Sequence, residues 1–249
     1  MSDNNTKQSI YWHIPTYVLC CIILLGLTKC RADFPKDIAE FYYPVNLLDE
    51  GLVYHYKSTT NDMDPLDQYW FFKGHQITDS QQLTGQFYDH NKQILQYFRQ
   101  TINKSGVLMD EYRLYSNDTI ADIIPVEVLY NNVYPFQVKD TTSIYLYKLQ
   151  YVNPADSSIN TIVRNRRYSG TTTWEHNGKT YDAIQFNVLE QIQNDRDGVV
   201  KIDLKGYEIY AKGIGQVYTE RVTQDGTTRI VDQLVDRIPM EAFEVSNQD

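Results

Sequence analysis

Several short polar clusters in this sequence have the composition of chemical sites, but each lacks part of the required set. The segment Asp195-Arg196-Asp197-Gly198 resembles part of a calcium-binding loop. An EF-hand would also need an acid two residues before Asp195 and a glutamate six residues after Gly198, where this chain has Gln193 and Leu204. We therefore interpret the segment as a turn.

The histidines and carboxylates show no catalytic or metal-binding spacing. Four histidines lie beyond the N-terminal segment and form no HExxH-type pair: His55, His75, His90 and His176. A Gly-x-Ser-x-Gly nucleophile motif does not occur. An acidic chain always contains carboxylates that could act as a glycosidase pair, here Asp110, Glu111, Glu190 and Glu208. The sequence predicts no catalytic residue, no metal site and no cofactor.

Tyrosine is the residue type whose number and spacing indicate a binding surface. The chain has 21 Tyr against 9 Phe and 3 Trp. Over residues 143–152, strand alternation places Tyr145, Tyr147 and Tyr151 on one face. With Trp70 and Trp174 they are our candidate residues for binding a lipid, glycan or peptide. The alternative is that these rings only stabilise the sheet through cross-strand pairing.

The elements that would position these residues are β-strands. Apolar and polar residues alternate over about eleven short segments, and turn residues such as Asn103–Gly106 and Asn177-Gly178 separate them. Pro125 predicts an edge or bent strand over residues 120–130. Long amphipathic helix patterns do not occur. We predict an all-β fold, a strongly curved antiparallel sheet or open barrel in one domain.

Charge and its distribution exclude one class of partner. The formal net charge is −9, which argues against a nucleic-acid partner because phosphate binding needs a basic face. The one dense basic cluster is Arg164-Asn165-Arg166-Arg167. We interpret it as a solvated strand end, since arginine is mostly exposed.

An apolar run within residues 14–30 predicts that the chain is exported. The run is about 15 residues long, which is short for a membrane span and typical of a signal peptide. All three cysteines, Cys20, Cys21 and Cys30, lie in or at the edge of this run. Their positions exclude a disulfide framework and a thiolate-ligated metal in the remainder of the chain.

The end of the apolar run allows three forms of processing. Leu27-Thr28-Lys29-Cys30 resembles the lipobox of bacterial lipoproteins, which implies that residues 1–29 are a signal peptide and that Cys30 is acylated. Cleavage after Ala32 would instead release an unlipidated protein. Retention as an uncleaved anchor is the third alternative, although Lys29, Arg31 and Lys36 oppose an outward C-terminal part. The first alternative predicts a lipid anchor in the outer membrane and a single β domain over residues 30–249.

Two segments at the ends of the predicted β domain resemble a known group of proteins. Phe41-Tyr42-Tyr43-Pro44 and Tyr210–Tyr218 are similar to the opening and closing signatures of uncharacterised exported or lipid-anchored β-sheet proteins of Gram-negative bacteria. More distantly, the chain is similar to the LolA/LolB type. That resemblance implies a curved antiparallel sheet whose concave side carries acyl chains.

Two functions from different classes follow. The first is a non-enzymatic binding or scaffolding module of the envelope, anchored through lipid, with no nucleic-acid partner and with a possible apolar ligand. The second is a hydrolase of envelope polysaccharide or peptidoglycan, which would need two carboxylates at catalytic separation.

Overall fold

Fourteen strands, two 3-10 turns and one short helix are found in the part of the chain that the computed structural model describes, residues 34–78, 80–116 and 123–245. The predicted signal peptide and Cys30 lie outside these residues. The strands are β1 Lys36–Asp37, β2 Leu52–Thr60, β3 Leu66–Ile77, β4 Ser80–Tyr88, β5 Ile94–Asn103, β6 Gly106–Tyr115, β7 Ile123–Pro135, β8 Gln137–Val138, β9 Tyr145–Val152, β10 Ile159–His176, β11 Lys179–Asp195, β12 Val199–Ala211, β13 Gly215–Thr223 and β14 Arg229–Ile238. The 3-10 turns are Ala39–Phe41 and Val45–Leu47, and the helix, α1, is Met240–Val245.

Twelve of these strands form a closed barrel in which neighbouring strands pair antiparallel. Strands β2 to β7 and β9 to β14 follow one another in chain order. Pairing of β14 with β2 joins the last barrel strand to the first, with Ile230 opposite Thr60, and pairing of β7 with β9 places Glu127 opposite Gln150. Closure removes the free edges from the barrel formed by these described strands. The predicted all-β fold, a strongly curved sheet or barrel, is confirmed. The barrel has twelve strands where about eleven were predicted, and it is closed where an open barrel was predicted.

The turn residues behave as their sequence predicts. Asn177 and Gly178 have φ of +50° and +72°, and they connect His176 to its partner Lys179 in a two-residue hairpin. This left-handed conformation is the one that Asn-Gly adopts readily. Pro125 lies where β7 pairs with β6 alone, because pairing with β9 starts at Glu127.

Charged side chains occupy part of the outer wall of the barrel. His55 and Lys57 alternate with inward residues on β2, and both contact the Asp67 carboxylate on β3, the lysine at 2.7 Å. On β5 and β6, Arg99 lies 3.3 Å from Glu111. These charged side chains are partly exposed, so this part of the wall is in contact with water.

A segment between β1 and β2 closes one end of the barrel. Its Ile38 and Leu48 are fully buried. The ring of Tyr42 lies 5.2 Å from that of Tyr134 on β7, and the ring of Tyr43 lies 4.4 Å from that of Phe72 on β3. We call residues 38–48 the plug. It leaves the opposite end of the barrel to be lined by strand residues alone within the described ranges.

Helix α1 covers part of the outer wall. Its Phe243 is 3% exposed, with the ring centroid 4.9 Å from that of Tyr69 and 5.5 Å from that of Tyr88. In the described parts of the chain, no helix is both long enough and apolar enough to cross a membrane.

Candidate binding cavity

A cavity of about 390 Å³ occupies the interior of the barrel. Strand alternation sends every second side chain inward, so the cavity is lined by side chains from most barrel strands and by Tyr42 and Tyr43 of the plug. Its volume lies in the range of roughly 300–1,000 Å³ that is typical of small-molecule sites.

A buried ion pair between β10 and β12 forms the centre of one side of the cavity. Arg166 donates from Nε to Oε2 of Glu208 at 2.8 Å and from Nη1 to the Val133 carbonyl at 2.9 Å. The Glu208 side chain is fully buried and that of Arg166 is 6% exposed. Tyr210 donates its hydroxyl proton to the same carboxylate at 3.1 Å. All charged atoms of this pair therefore have partners, as buried charges require.

The ion pair continues as a row around half of the barrel. Arg164, two residues before Arg166, reaches Glu208 at 2.8 Å and Glu190 at 3.3 Å. Arg221 on β13 lies 3.7 Å from Glu190 and 3.0 Å from Asp232 on β14. We call these six residues, Arg164, Arg166, Glu190, Glu208, Arg221 and Asp232, the charged row. It joins five consecutive strands and reaches a sixth through the hydrogen bond from Ser58 on β2 to Asp232 at 2.6 Å.

The charged row fixes the ionisation of Glu208. Burial alone would raise the pKa of this carboxyl, but the adjacent Arg164 and Arg166 guanidiniums and the hydrogen bonds from Arg166 and Tyr210 lower it from 4.5 to about 2. Burial beside the same carboxylate raises the pKa of the Tyr210 hydroxyl. Glu208 is therefore a carboxylate and Tyr210 a neutral phenol at neutral pH.

Aromatic rings and amides form the facing side of the cavity. The Trp70 ring lies 5.1 Å from that of Phe87, 5.6 Å from that of Phe98 and 5.7 Å from that of Phe72. Three glutamines from β3 and β5 also line this side: Gln68, Gln96 and Gln100. Two of them accept hydrogen bonds from tyrosines, Gln96 from Tyr112 at 2.6 Å and Gln100 from Tyr42. A ligand here would meet flat apolar surfaces on one side and fixed charges on the other.

The structure divides the sequence-predicted binding residues into three groups. Trp70 and Tyr147 line the cavity. Tyr145 is buried in the barrel wall beside Phe186, at 6.4 Å between ring centroids, and Tyr151 is half-buried near the end of β9. Trp174 lies on the β10–β11 hairpin, stacked on His176 at 4.8 Å, and is not among the cavity residues. The structure therefore brings Trp70 and Tyr147 into one site and leaves Trp174 outside it.

The interpretation of Arg164–Arg167 as a solvated strand end was wrong for two of its residues. Arg164 and Arg166 point into the barrel, with side chains 14% and 6% exposed, while Arg167 faces outward. Strand alternation separates them into two faces. The sequence did contain a signal for acidic partners inside the barrel. Glu190 lies two residues from Val188 and Glu208 two residues from Tyr210, so each acid shares a strand face with a buried residue.

The other candidate chemical residues are dispersed. Asp195–Gly198 connects β11 to β12, so its interpretation as a turn is confirmed. Asp110 and Glu111 contact Arg99 on the outer wall, away from Glu190 and Glu208. Among the described residues, no group of three histidine, cysteine or acidic side chains is arranged to hold a metal ion.

Comparison with known proteins gives a fold. No protein-family model matches the chain, and neither does any curated protein. Two solved structures are similar to it at 14% sequence identity. One is a predicted lipoprotein of Parabacteroides distasonis ATCC 8503, with a TM-score of 0.56 over 81% of this chain and 100% of that chain. The other is a predicted exported protein of Bacteroides fragilis NCTC 9343 with a YmcC-like fold, with a TM-score of 0.54 over 79% and 98% of the two chains.

These comparisons bear on the resemblance in the sequence only at the level of the fold. Both solved structures fit the predicted group of exported or lipid-anchored β-sheet proteins, whereas similarity to the LolA/LolB type is not shown. The barrel described above is therefore a fold that this chain shares with proteins described as a lipoprotein and as an exported protein.

Proposed function

We propose that this protein is a non-enzymatic binding module of the cell envelope that holds a small ligand inside its barrel. The observation that carries the proposal is the cavity of about 390 Å³ with the charged row on one side. On the other side lie the rings of Trp70, Phe72, Phe87 and Phe98, which we call the Trp70 cluster. The cavity offers a ligand both flat aromatic surfaces and polar side chains with fixed positions, and ligand sites commonly combine the two. Among the ligands proposed for this cavity, acyl chains, which proteins of the LolA/LolB type carry, are the most apolar.

The charged row supports binding rather than hydrolysis. A hydrolase of polysaccharide or peptidoglycan needs one carboxylic acid that can protonate the leaving group. Glu208, whose pKa is lowered to about 2, is held ionised between two guanidiniums. Glu190 lies against Arg164 and Arg221. Glu190 and Glu208 are therefore paired with arginines, and they hold the guanidinium groups in position.

The envelope location is supported by the N-terminal sequence and by the fold. The apolar run ends at Cys30, and no cysteine follows it. Proteins of the same fold are described as a lipoprotein and as an exported protein. We propose that Cys30 carries a lipid that anchors the protein in the outer membrane. Labelled palmitate should be incorporated into the wild type and not into Cys30→Ala, and an unlabelled wild type would contradict the anchor.

Ligand binding can be tested by extracting the purified protein. Protein isolated gently from its native envelope, then denatured and extracted, should release a stoichiometric small molecule detectable by mass spectrometry. Trp70→Ala should reduce the amount released, because Trp70 lines the cavity. Trp174→Ala is the matched control, since this tryptophan lies on the β10–β11 hairpin. Equal release from both variants, or none from the wild type, would contradict binding in the cavity.

A further inference from the structure

Aliphatic side chains line the end of the barrel opposite the plug. Ile162, Ile192 and Ile202 lie directly opposite one another on β10, β11 and β12. We call these three residues, together with Leu66, Ile124 and Ile230 at the corresponding ends of β3, β7 and β14, the mouth collar.

Register shows that the mouth collar faces the interior, one step beyond the charged row at Ile162 and Ile192 and level with the row at Ile230. Ile162 is two residues from Arg164, and Ile192 is two residues from Glu190, so each pair shares the inner face of its strand. Ile230 is directly opposite Arg221. A molecule that enters the cavity from this end therefore passes the mouth collar before it reaches the arginines.

The mouth collar is exposed in the described structure. Leu66 is 51% exposed and Ile202 is 48% exposed, and the other four members are half-buried. Ile162, Ile192 and Ile202 are cross-strand neighbours, and adjacent exposed aliphatic side chains of this kind mark contact with another molecule. A ligand that projects from the cavity past Arg164 and Glu190 towards the strand ends would cover Ile162 and Ile192, which lie two residues further along the same inner faces.

The charged row indicates what the inner end of the ligand carries. Its three arginines are balanced by three acids, so the formal charge of the row is zero. An added ionic group would be an uncompensated charge in a buried site. The Nε of Arg221 is nevertheless buried without a hydrogen-bond partner in the described chain. Because a buried donor without a partner is costly, the site favours a ligand oxygen that accepts this bond.

We propose that the ligand is an uncharged single-chain amphiphile, bound with its oxygen-bearing polar end between the charged row and the Trp70 cluster. Its aliphatic chain runs outward along the mouth collar. This inference rests on the proposed function and adds the class and direction of the ligand. A monoacylglycerol is a suitable representative of the class.

The test compares three probes that share a ten-carbon chain and differ in the charge of the polar end. Monodecanoylglycerol, decanoate and decyltrimethylammonium are titrated into the full chain by calorimetry at pH 8, below their micelle concentrations. Monodecanoylglycerol should bind once per chain, and the two ions at least roughly tenfold more weakly, because each ion leaves a buried charge uncompensated.

The mouth collar is tested by chain length and by substitution. Each methylene that becomes buried should strengthen binding by up to about fourfold, so monooctanoylglycerol should bind more weakly than the ten-carbon probe. Ile202→Asn should remove most of the difference in affinity between the eight-carbon and the ten-carbon probe. Leu189→Asn is the matched control, because Leu189 lies on the outer face of β11 and is 56% exposed. Every variant carries the same N-terminal segment, so differences between variants report on the barrel.

The charged row is tested by two variants of opposite sign. Glu190→Gln leaves one extra positive charge, so decanoate should gain affinity relative to monodecanoylglycerol. Arg221→Gln leaves one extra negative charge, and decyltrimethylammonium should gain instead. Circular dichroism establishes whether each variant is folded. If only one of them folds, that variant still shows whether the added charge shifts the relative affinity in the expected direction.

The outcomes separate this inference from the proposed function. Preferential binding of an ion by the wild type, or the same affinities in Ile202→Asn as in Leu189→Asn, would overturn the inference and leave cavity binding intact. Binding of none of the probes, together with the absence of a co-purified ligand, would overturn both.

Discussion

Substitution of Glu208 by glutamine tests the electrostatic reasoning on which the cavity depends. The side chain keeps its size and loses its charge, so Arg164 and Arg166 lose the carboxylate that each contacts at 2.8 Å. The difference between a pKa of 4.5 and one of about 2 corresponds to about 3 kcal/mol of folding free energy at pH 7. Removal of one partner from a buried pair costs roughly 3–5 kcal/mol. We therefore expect Glu208→Gln to lower the free energy of unfolding by about 3 kcal/mol or more.

The same pKa fixes how this contribution depends on pH. Between pH 4.5 and 2 the unfolded chain binds a proton at Glu208 that the folded chain does not. Stability therefore falls as pH falls through this window. By pH 3 about 2 kcal/mol of the contribution should be lost. The wild type should lose about that much more stability than Glu208→Gln between pH 7 and pH 3.

Urea unfolding at pH 7 and pH 3, followed by circular dichroism, measures both effects. Glu111→Gln is the control, because Glu111 also contacts two arginines, Arg99 and Arg113, but lies on the outer wall with 23% of its side chain exposed. That change should cost less than about 1 kcal/mol. The reasoning is refuted if Glu208→Gln costs no more than Glu111→Gln, or if its pH dependence equals that of the wild type.

Three further substitutions test the packing of the barrel. Gly206→Ala would place a Cβ 1.7 Å from the carbonyl oxygen of Glu220 on β13, so it should cost about 3 kcal/mol or more. Gly178→Ala meets no atom within 4 Å and should cost about 1 kcal/mol through its positive φ, and equal urea midpoints for the two would contradict the close strand approach. Phe243→Ala should cost about 3 kcal/mol by removing a buried ring, while ligand release stays as in the wild type because Phe243 packs against Tyr69 on the outer wall. A loss of ligand in this variant would show that α1 supports the cavity.

The strands and several turns could be predicted because their causes are local. A strand needs alternating side chains, and a two-residue hairpin needs residues that tolerate positive φ, which Asn177 and Gly178 supply. The sequence also predicted that Tyr145, Tyr147 and Tyr151 share a face, which follows from a period of two residues. Whether that face lines a cavity or only the wall depends on neighbouring strands, so the pattern alone left it open.

Prediction failed where the cause was a distant partner. Arg166 and Glu208 are 42 residues apart, and nothing near Arg166 in the chain identifies its partner. An arginine without a known partner is best placed in water, which is why Arg164–Arg167 was interpreted as solvated. Burial became favourable only when three strands brought carboxylates within 4 Å of the guanidiniums.

The sequence by itself determined the strand class, the turn positions and the prediction of export, because side-chain periodicity, backbone preference and an apolar run are properties of short segments. Only the tertiary structure decided that the sheet closes, that the plug fills one end and that the charged row faces the Trp70 cluster. Closure pairs β14 with β2 at opposite ends of the domain, with Ile230 opposite Thr60. Pairing between segments so far apart depends on the register of every strand between them, and that register cannot be predicted from short segments alone.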